Sequence, residues 1–336
     1  MPSTIHAIGY HRSLPIDDPE SLIDLEIPSP TPGPRDLIVR PEAVSVNPVD
    51  VKVRSSAQPE GAERVLGFDA SGTVVAVGSD VSLFQVGDEV FYAGSIDRPG
   101  TNADLHAVNE RIVGHKPARL GHAEAAAMPL TSITAWESLF DRLRVSELSN
   151  GTLLVLGAAG GVGSILIQLA RQLTGLTVIA TSGRPETSDW VTKMGAQHVV
   201  DHRDDLAGQL RAIAPDGLDY VFTSRSDGQI PLFAEVVRPF GEIVAIDDPP
   251  GLDIYPLKTK SLTWHWESMF ARSSFQTPDV IEQHYLLDTV GRLLDEGILT
   301  TTLTTTLVGF DAEHLREAHR LVESGATIGK VVVSRS

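Results

Sequence analysis

Short apolar runs broken by Pro, Gly and Asp dominate the first part of the chain. Asp36-Leu37-Ile38-Val39-Arg40, Gly72-Thr73-Val74-Val75-Ala76-Val77-Gly78 and Asp88-Glu89-Val90-Phe91-Tyr92 each read as a strand. Pro28 to Pro34 holds four prolines and reads as a connector rather than helix or central strand. From about residue 126 the pattern changes. Apolar strands at 153–156, 177–181, 198–201, 218–223 and 241–246 alternate with segments of helical spacing. Pro185 stands where a first helical turn begins and Gly195 where that helix stops. This alternation predicts an α/β unit with a doubly wound parallel sheet. Beyond 270 a helix is expected from Thr277-Pro278 to Gly297, with Ile281, Leu286, Val290, Leu293 and Leu294 along one side. A Thr-rich strand, a helix from Asp311 to about Gly325 and a last strand at 330–333 follow, and the last strand could rejoin the first sheet.

One stretch carries chemistry. Leu153-Leu154-Val155-Leu156 runs into Gly157-Ala158-Ala159-Gly160-Gly161-Val162-Gly163, and Val162, Ile165, Leu166, Leu169, Ala170 and Leu173 then follow a helical period. Strand, glycine turn and helix in that order form the setting of a dinucleotide site. Glycines let a pyrophosphate come close to the backbone, and the first free N–H groups of the helix face it. The same turn without a ligand is a tight βα connection. In such a unit a carboxylate at the tip of the second strand holds the ribose 2′-hydroxyl of NAD. Here that strand ends Thr181-Ser182-Gly183-Arg184, and the nearest acid, Glu186, comes after Pro185. Small hydroxyls and an arginine suit a 2′-phosphate instead, which predicts NADP(H). His202 and Arg203, after the third strand, could join that pocket, although most arginines simply sit in solvent.

Composition narrows the rest. The 336 residues suggest two domains, and the 42% hydrophobic and 21% charged contents are those of a globular protein. A formal net charge of −17 with no basic run argues against nucleic acid or an anionic membrane as partner. No apolar run reaches the length of a membrane span and no signal peptide is visible, so a cytoplasmic location is expected. The absence of cysteine excludes disulfides, thiolate catalysis and any Cys-ligated zinc.

Further pieces resemble the medium-chain dehydrogenase/reductase superfamily along nearly the whole chain. They are Val46-Asn47-Pro48-Val49-Asp50, Gly67-Phe68-Asp69-Ala70-Ser71-Gly72-Thr73-Val74, Gly87-Asp88-Glu89-Val90, Ala125-Ala126-Ala127-Met128-Pro129-Leu130 and Thr134-Ala135-Trp136. The resemblance implies a GroES-like, β-rich catalytic domain over 1–125 and 271–336, with a Rossmann NADP(H)-binding domain over 126–270. Zinc alcohol dehydrogenases of this superfamily bring a Cys, a His-Glu pair and a second Cys to the catalytic metal. At those positions this chain has Asn47 and Gly67-Phe68-Asp69, and the four-cysteine lobe is missing between Tyr92 and Asn102. No metal residue is therefore expected, and the chain resembles the zinc-independent quinone oxidoreductase branch. The segments 90–100, 184–187 and 270–277 look like a bacterial subgroup that carries a zinc-binding alcohol dehydrogenase label without zinc ligands. That subgroup implies a histidine where this chain has Thr223-Ser224-Arg225-Ser226.

The resemblance implies an NADPH-dependent reductase of quinones, with an enone reductase and a nucleotide-binding structural or sensing protein as the other readings. Its candidate catalytic residues are Asn47, near the nicotinamide ribose, and Tyr92, a hydrogen-bond donor into the pocket. Asn47 also suits an Asn-Pro turn and Tyr92 a core aromatic. The candidate cofactor residues are Asn47, Thr134, Gly157, Ala159, Gly160, Gly161, Val162, Thr181, Ser182, Arg184, His202, Ile246 and Lys330. Trp264-His265-Trp266 could line a cleft or an interface. The partners expected are a small-molecule quinone or enone and a second copy in a homodimer.

Overall fold

The structure, a computed structural model, describes residues 4–56, 58–59 and 63–336. In chain order the elements are β1 (Thr4–Tyr10), β2 (Ile23–Pro28), β3 (Asp36–Val46), α1 (Pro48–Ser56), β4 (Arg64–Val65), β5 (Ala70–Val77), β6 (Glu89–Tyr92), β7 (His106–Asn109), β8 (Val113–His115), α2 (His122–Ala126) and α3 (Pro129–Trp136). Then come β9 (Asn150–Leu156), α4 (Gly161–Leu173), β10 (Gly175–Ser182), α5 (Pro185–Lys193), β11 (His198–Asp201), α6 (Leu206–Ile213), β12 (Leu218–Thr223), α7 (Ile230–Val236), β13 (Val237–Ala245) and β14 (Thr263–Trp266). The chain ends with α8 (Ala271–Phe275), α9 (Glu282–Asp295), β15 (Leu303–Val308), α10 (Ala312–Glu323) and β16 (Lys330–Ser334).

Two compact units result. One holds Met1–Ile133 with Phe270–Ser336, the other Thr134–Met269. Beside the expected divisions at 125/126 and 270/271, these units divide at 133/134 and 269/270, and α2 packs on β3 and β5 of the first unit.

The first unit is β-rich. A sheet of order β15-β16-β3-β5-β6-β8, with β7 also on β3, carries most of it, and β2-β1-β4 form a small second sheet. The C-terminal strand does rejoin this sheet. β16 runs antiparallel to β3, with Val331 opposite Val46 and Val333 opposite Val44. That register places Lys330 beside the end of β3, where Asn47 begins the next helix. β5 pairs with β3 on its other side, Ala70 opposite Val44, so Asp69 arrives at the same end. Three chain segments far apart in sequence therefore converge at one point.

The second unit is a wholly parallel sheet of order β11-β10-β9-β12-β13-β14. Order reverses between β9 and β12, and such a switch point opens a crevice at the carboxyl ends of the strands. Leu154, Ile179, Val221 and Ile243 pack on Phe233 and Leu210 on one face of the sheet. The four expected strands 153–156, 177–181, 198–201 and 218–223 all form, and of the expected 241–246 residues 241–245 are the later part of β13.

Candidate active site

The nucleotide end of the second unit follows from local sequence. β9 stops at Leu156 because Gly157 turns with φ +75°, a conformation other residues rarely hold. A Cβ there would lie 2.1 Å from Ser224 Oγ on the loop after β12. Gly160 precedes α4 in an extended conformation and carries no side-chain cap. The first N–H groups of α4, from Gly161, Val162 and Gly163, therefore have no partner within the helix. Gly163 lets the helix lie directly on the turn, since a Cβ there would meet Ala158 Cα and two backbone oxygens at 2.6 Å. Ala159, Gly160, Gly161 and Val162 are only half-buried, as an anion-facing surface must be.

At the tip of β10, Thr181 and Ser182 are buried and the Ser182 hydroxyl donates to Arg184 O at 3.1 Å, with the Ser188 hydroxyl 3.0 Å away. Arg184 is exposed at the start of α5. His202 closes over Gly183, where a Cβ would be 2.6 Å from its Cε1. The structure thus brings Ser182, Gly183, Arg184 and His202 together around one strand tip. Arg203 is held by Asp201, Nε to Oδ1 at 3.0 Å and Nη2 to Oδ2 at 2.7 Å, and this hydrogen bonding draws Asp201 down to about 2. Ile246 follows the last residue of β13, its N–H donating to Thr223 O at 3.1 Å. Thr134 is buried on α3. The loop that lacks the implied histidine is built differently: Ser226 gives its N–H and its hydroxyl to the Asp247 carboxylate at 2.5 and 2.6 Å. Asp247 and Ser224 were not expected here, because no motif marks them.

In the first unit the candidates are less open. Asn47, Asp50, Asp69 and Lys330 are all buried, none more than 4% exposed. Asn47 precedes α1, Pro48 is the helix's first residue, and Asp50 reaches back to accept the Asn47 N–H at 2.8 Å and the Gly67 N–H at 3.0 Å. Burial pushes the Asp50 carboxyl up to about 7 against those two donors. Asn47 Nδ2 donates to Asp69 Oδ2 at 2.8 Å, and Asp69 Oδ1 accepts the Leu130 N–H at 2.8 Å. Lys330 Nζ donates to Asn47 Oδ1, to Asp69 Oδ2 at 3.0 Å and to Val46 O at 3.4 Å. Lys330, expected to reach a cofactor, is instead an internal ammonium, since its three donors are taken by three buried acceptors. Phe68 lies edge-on to Phe270 with ring centroids 5.4 Å apart.

Tyr92, expected to donate into a pocket, is fully buried, and its hydroxyl pairs with His106 Nδ1 at 3.1 Å beneath a stacked ring contact. Burial pushes the phenol up and His106 down to about 4, so Nδ1 of the neutral imidazole accepts a hydrogen bond from the phenolic O–H while its Nε2–H donates to Pro99 O at 3.0 Å. The core-aromatic alternative describes this residue. His106 also lines a cavity of about 280 Å³ with Ser95, Arg98, Asn109, Ser273 and Gln276, which joins two of the segments singled out by sequence.

Zinc does not suit this donor set. Asn47 is committed to a lysine and an aspartate, Phe68 offers no donor, and the ammonium of Lys330 stands against Asp69 where a cation would have to bind. A nicotinamide dinucleotide suits the second unit: a glycine turn without bulk, free helix N–H groups and an arginine at the tip of β10.

Comparison with known proteins agrees with this frame. Residues 33–134 match the family described as alcohol dehydrogenase GroES-like domain and 194–333 the family described as zinc-binding dehydrogenase. A zinc-type alcohol dehydrogenase-like protein of Staphylococcus aureus strain COL is 41% identical over 335 residues, 97% of this chain and 99% of the relative. The chain belongs to the medium-chain dehydrogenase/reductase superfamily. A crystal structure from Rhizobium etli CFN 42, named for zinc-dependent alcohol dehydrogenase, is 51% identical with a TM-score of 0.97, covering 100% of this chain and 99% of that one. Escherichia coli quinone oxidoreductase complexed with NADPH, 24% identical over 98% of this chain and 99% of its own, has the same fold at a TM-score of 0.84. The chain is an oxidoreductase of this superfamily, with GroES-like and Rossmann units. No helix among the described residues is long and apolar enough to cross a membrane.

Proposed function

We propose that this oxidoreductase is NADPH-dependent, works without zinc and reduces quinones. The buried Asn47–Asp69–Lys330 cluster carries the reading. A site whose donors are an amide, a carboxylate and an ammonium supplies no Lewis acid, so the acceptor must spread the incoming charge itself. A quinone does this through its conjugated oxygens. Bound NADPH supplies the hydride. The protein's part is to hold and orient. The N–H groups of Gly161, Val162 and Gly163 take the pyrophosphate, and Ala159 and Gly160 leave it room. Ser182, Arg184 and His202 receive the 2′-phosphate, with Thr181 supporting the strand tip. Ile246 and Thr134 flank the nicotinamide half, and Asn47 meets its ribose, as the superfamily resemblance implies.

The test is NADPH consumption with 1,4-benzoquinone and with an α,β-unsaturated ketone, each in EDTA. Quinone-dependent consumption that survives EDTA is expected. Turnover of the enone alone would overturn the acceptor, and NADPH binding with neither turned over would overturn the enzymatic reading in favour of a sensing or structural role.

A further inference from the structure

We propose that Lys330 is a positioning residue: its buried ammonium locks the side-chain amide of Asn47 in the one orientation that serves the nicotinamide half of the cofactor. The inference rests on the proposed role of Asn47 at the nicotinamide ribose.

An asparagine amide has two nearly isosteric ends, and its neighbours decide which way it points. Lysine only donates and a carboxylate only accepts. Lys330 Nζ lies on the oxygen of Asn47, and Asp69 Oδ2 lies 2.8 Å from its nitrogen. Reversing the amide would set N–H against an ammonium and C=O against a carboxylate, losing both bonds at once. Two capacities remain on Asn47. Its oxygen keeps a second lone pair, and its second N–H has only a long 3.4 Å contact to Ser45 O. The lysine is placed by β16, the strand that rejoins β3 with Val331 opposite Val46. Asp69 is tied from behind by the Leu130 N–H at 2.8 Å, so the pair cannot swing away together. Lys330 thus brings a fixed charge to the positions at which zinc relatives carry ligands, and brings it for orientation rather than for polarising a substrate.

The decisive experiment is a double-mutant cycle on the full chain with N47A, K330M and N47A/K330M. Two ligands are titrated by fluorescence: NADPH, and adenosine 2′,5′-bisphosphate, which has no nicotinamide. The quinone rate is measured alongside. N47A and K330M should each weaken NADPH about tenfold, the upper end for one lost neutral hydrogen bond, and the double variant no more than the weaker-binding single one. Adenosine 2′,5′-bisphosphate should bind all variants within about twofold of the parent. That second readout separates positioning from general damage, which would weaken both ligands.

Losses that multiply to about a hundredfold in the double variant, or K330M binding NADPH normally while N47A does not, would overturn the role of Lys330 and leave Asn47 standing. N47A with unchanged NADPH affinity and rate would overturn the reading of Asn47 and the inference with it. Removing Lys330 alone strands Asp69 as a buried acid. If K330M does not fold, D69N/K330M takes its place in the cycle with N47A: a non-multiplying loss of NADPH affinity then supports orientation by the Lys330–Asp69 pair, and multiplying losses overturn it.

Discussion

At the scale of single residues, charge and burial make opposite demands at two positions. Arg184 is exposed and stands at the strand tip where a carboxylate would select NAD. R184D should shift preference from NADPH toward NADH by about tenfold or more, through loss of a charge-assisted contact and gain of a ribose acceptor. An unchanged ratio of kcat/KM values for the two cofactors would remove Arg184 from the site. His319, on α10, is the reverse case: fully buried, with neither ring nitrogen hydrogen-bonded. Burial lowers it from 6.5 to about 3, with Arg54 adding to the effect. As pH falls below 6.5 the unfolded chain takes up a proton that the folded one refuses. The neutral ring's contribution is therefore complete above 6.5 and is lost progressively on the way down to about 3. H319L should flatten the fall of unfolding free energy on acidification by about 1.4 kcal/mol per pH unit within that window. It should also raise the melting temperature at neutral pH, because an unsatisfied polar ring is replaced by an apolar side chain. Asp50 works in the other direction. Its folded value of about 7 lies above 3.8, so its contribution is complete below 3.8 and is lost as pH rises through 7. Subtracting the H319L curve from the parent's cancels Asp50. Parallel urea-derived pH profiles for the two proteins would show that the buried histidine carries no acid sensitivity.

Among the secondary-structure elements, α4 and its glycine turn decide whether the nucleotide can approach. At Gly163 any side chain meets the backbone of Ala158 at 2.6 Å, and backbone cannot step aside as a flexible side chain can. G163A should push the helix start off the turn, cost about 1–3 kcal/mol of stability and weaken NADPH binding in calorimetry. Equal affinity in G163A would mean that the close approach is incidental. This element was legible in the sequence because everything that makes it lies within a few residues: an apolar run, glycines and a helical period. The parallel strands were legible for the same reason. The first unit's cluster was not. Lys330 and Asp69 are 261 residues apart and Lys330 and Asn47 are 283 apart, and only the pairing of β16 with β3 brings them together. No local pattern encodes that register, so Lys330 read as a residue reaching for the cofactor. Tyr92 misled for a related reason. Its alternation in β6 fits either face of the sheet, and the stacked His106 that claims its hydroxyl comes from another strand. β14 was missed as a strand because four residues between irregular segments carry too little periodicity.

For the whole molecule, that short strand bears on assembly. β14 is the last strand of the second unit's parallel sheet and pairs, among the described residues, only with β13. An edge of this kind offers unpaired backbone groups to another chain, and sheets that stay monomeric guard such edges with charge or proline. Here the edge instead carries Trp266, 54% exposed, braced by Trp264 at 5.5 Å between ring centroids. Trp264 packs against the core under β13, and His265 is fixed to Glu242 at 2.7 Å, so the exposed indole projects from a rigid base. A tryptophan so held would anchor an interface at low entropic cost. The expected partner is a second copy, because two identical edges related by a two-fold axis bury both indoles at once. Light scattering should give twice the 36.1 kDa chain mass for the parent and close to 36.1 kDa for W266E, which places a charge at the centre of the contact. Affinity for adenosine 2′,5′-bisphosphate, which has no nicotinamide, should be retained in W266E, since the glycine turn and the β10 tip lie elsewhere in the sheet order. A parent protein that runs as a monomer, or a W266E variant that stays dimeric, would show that this edge serves no second copy and that Trp266 is only a surface aromatic.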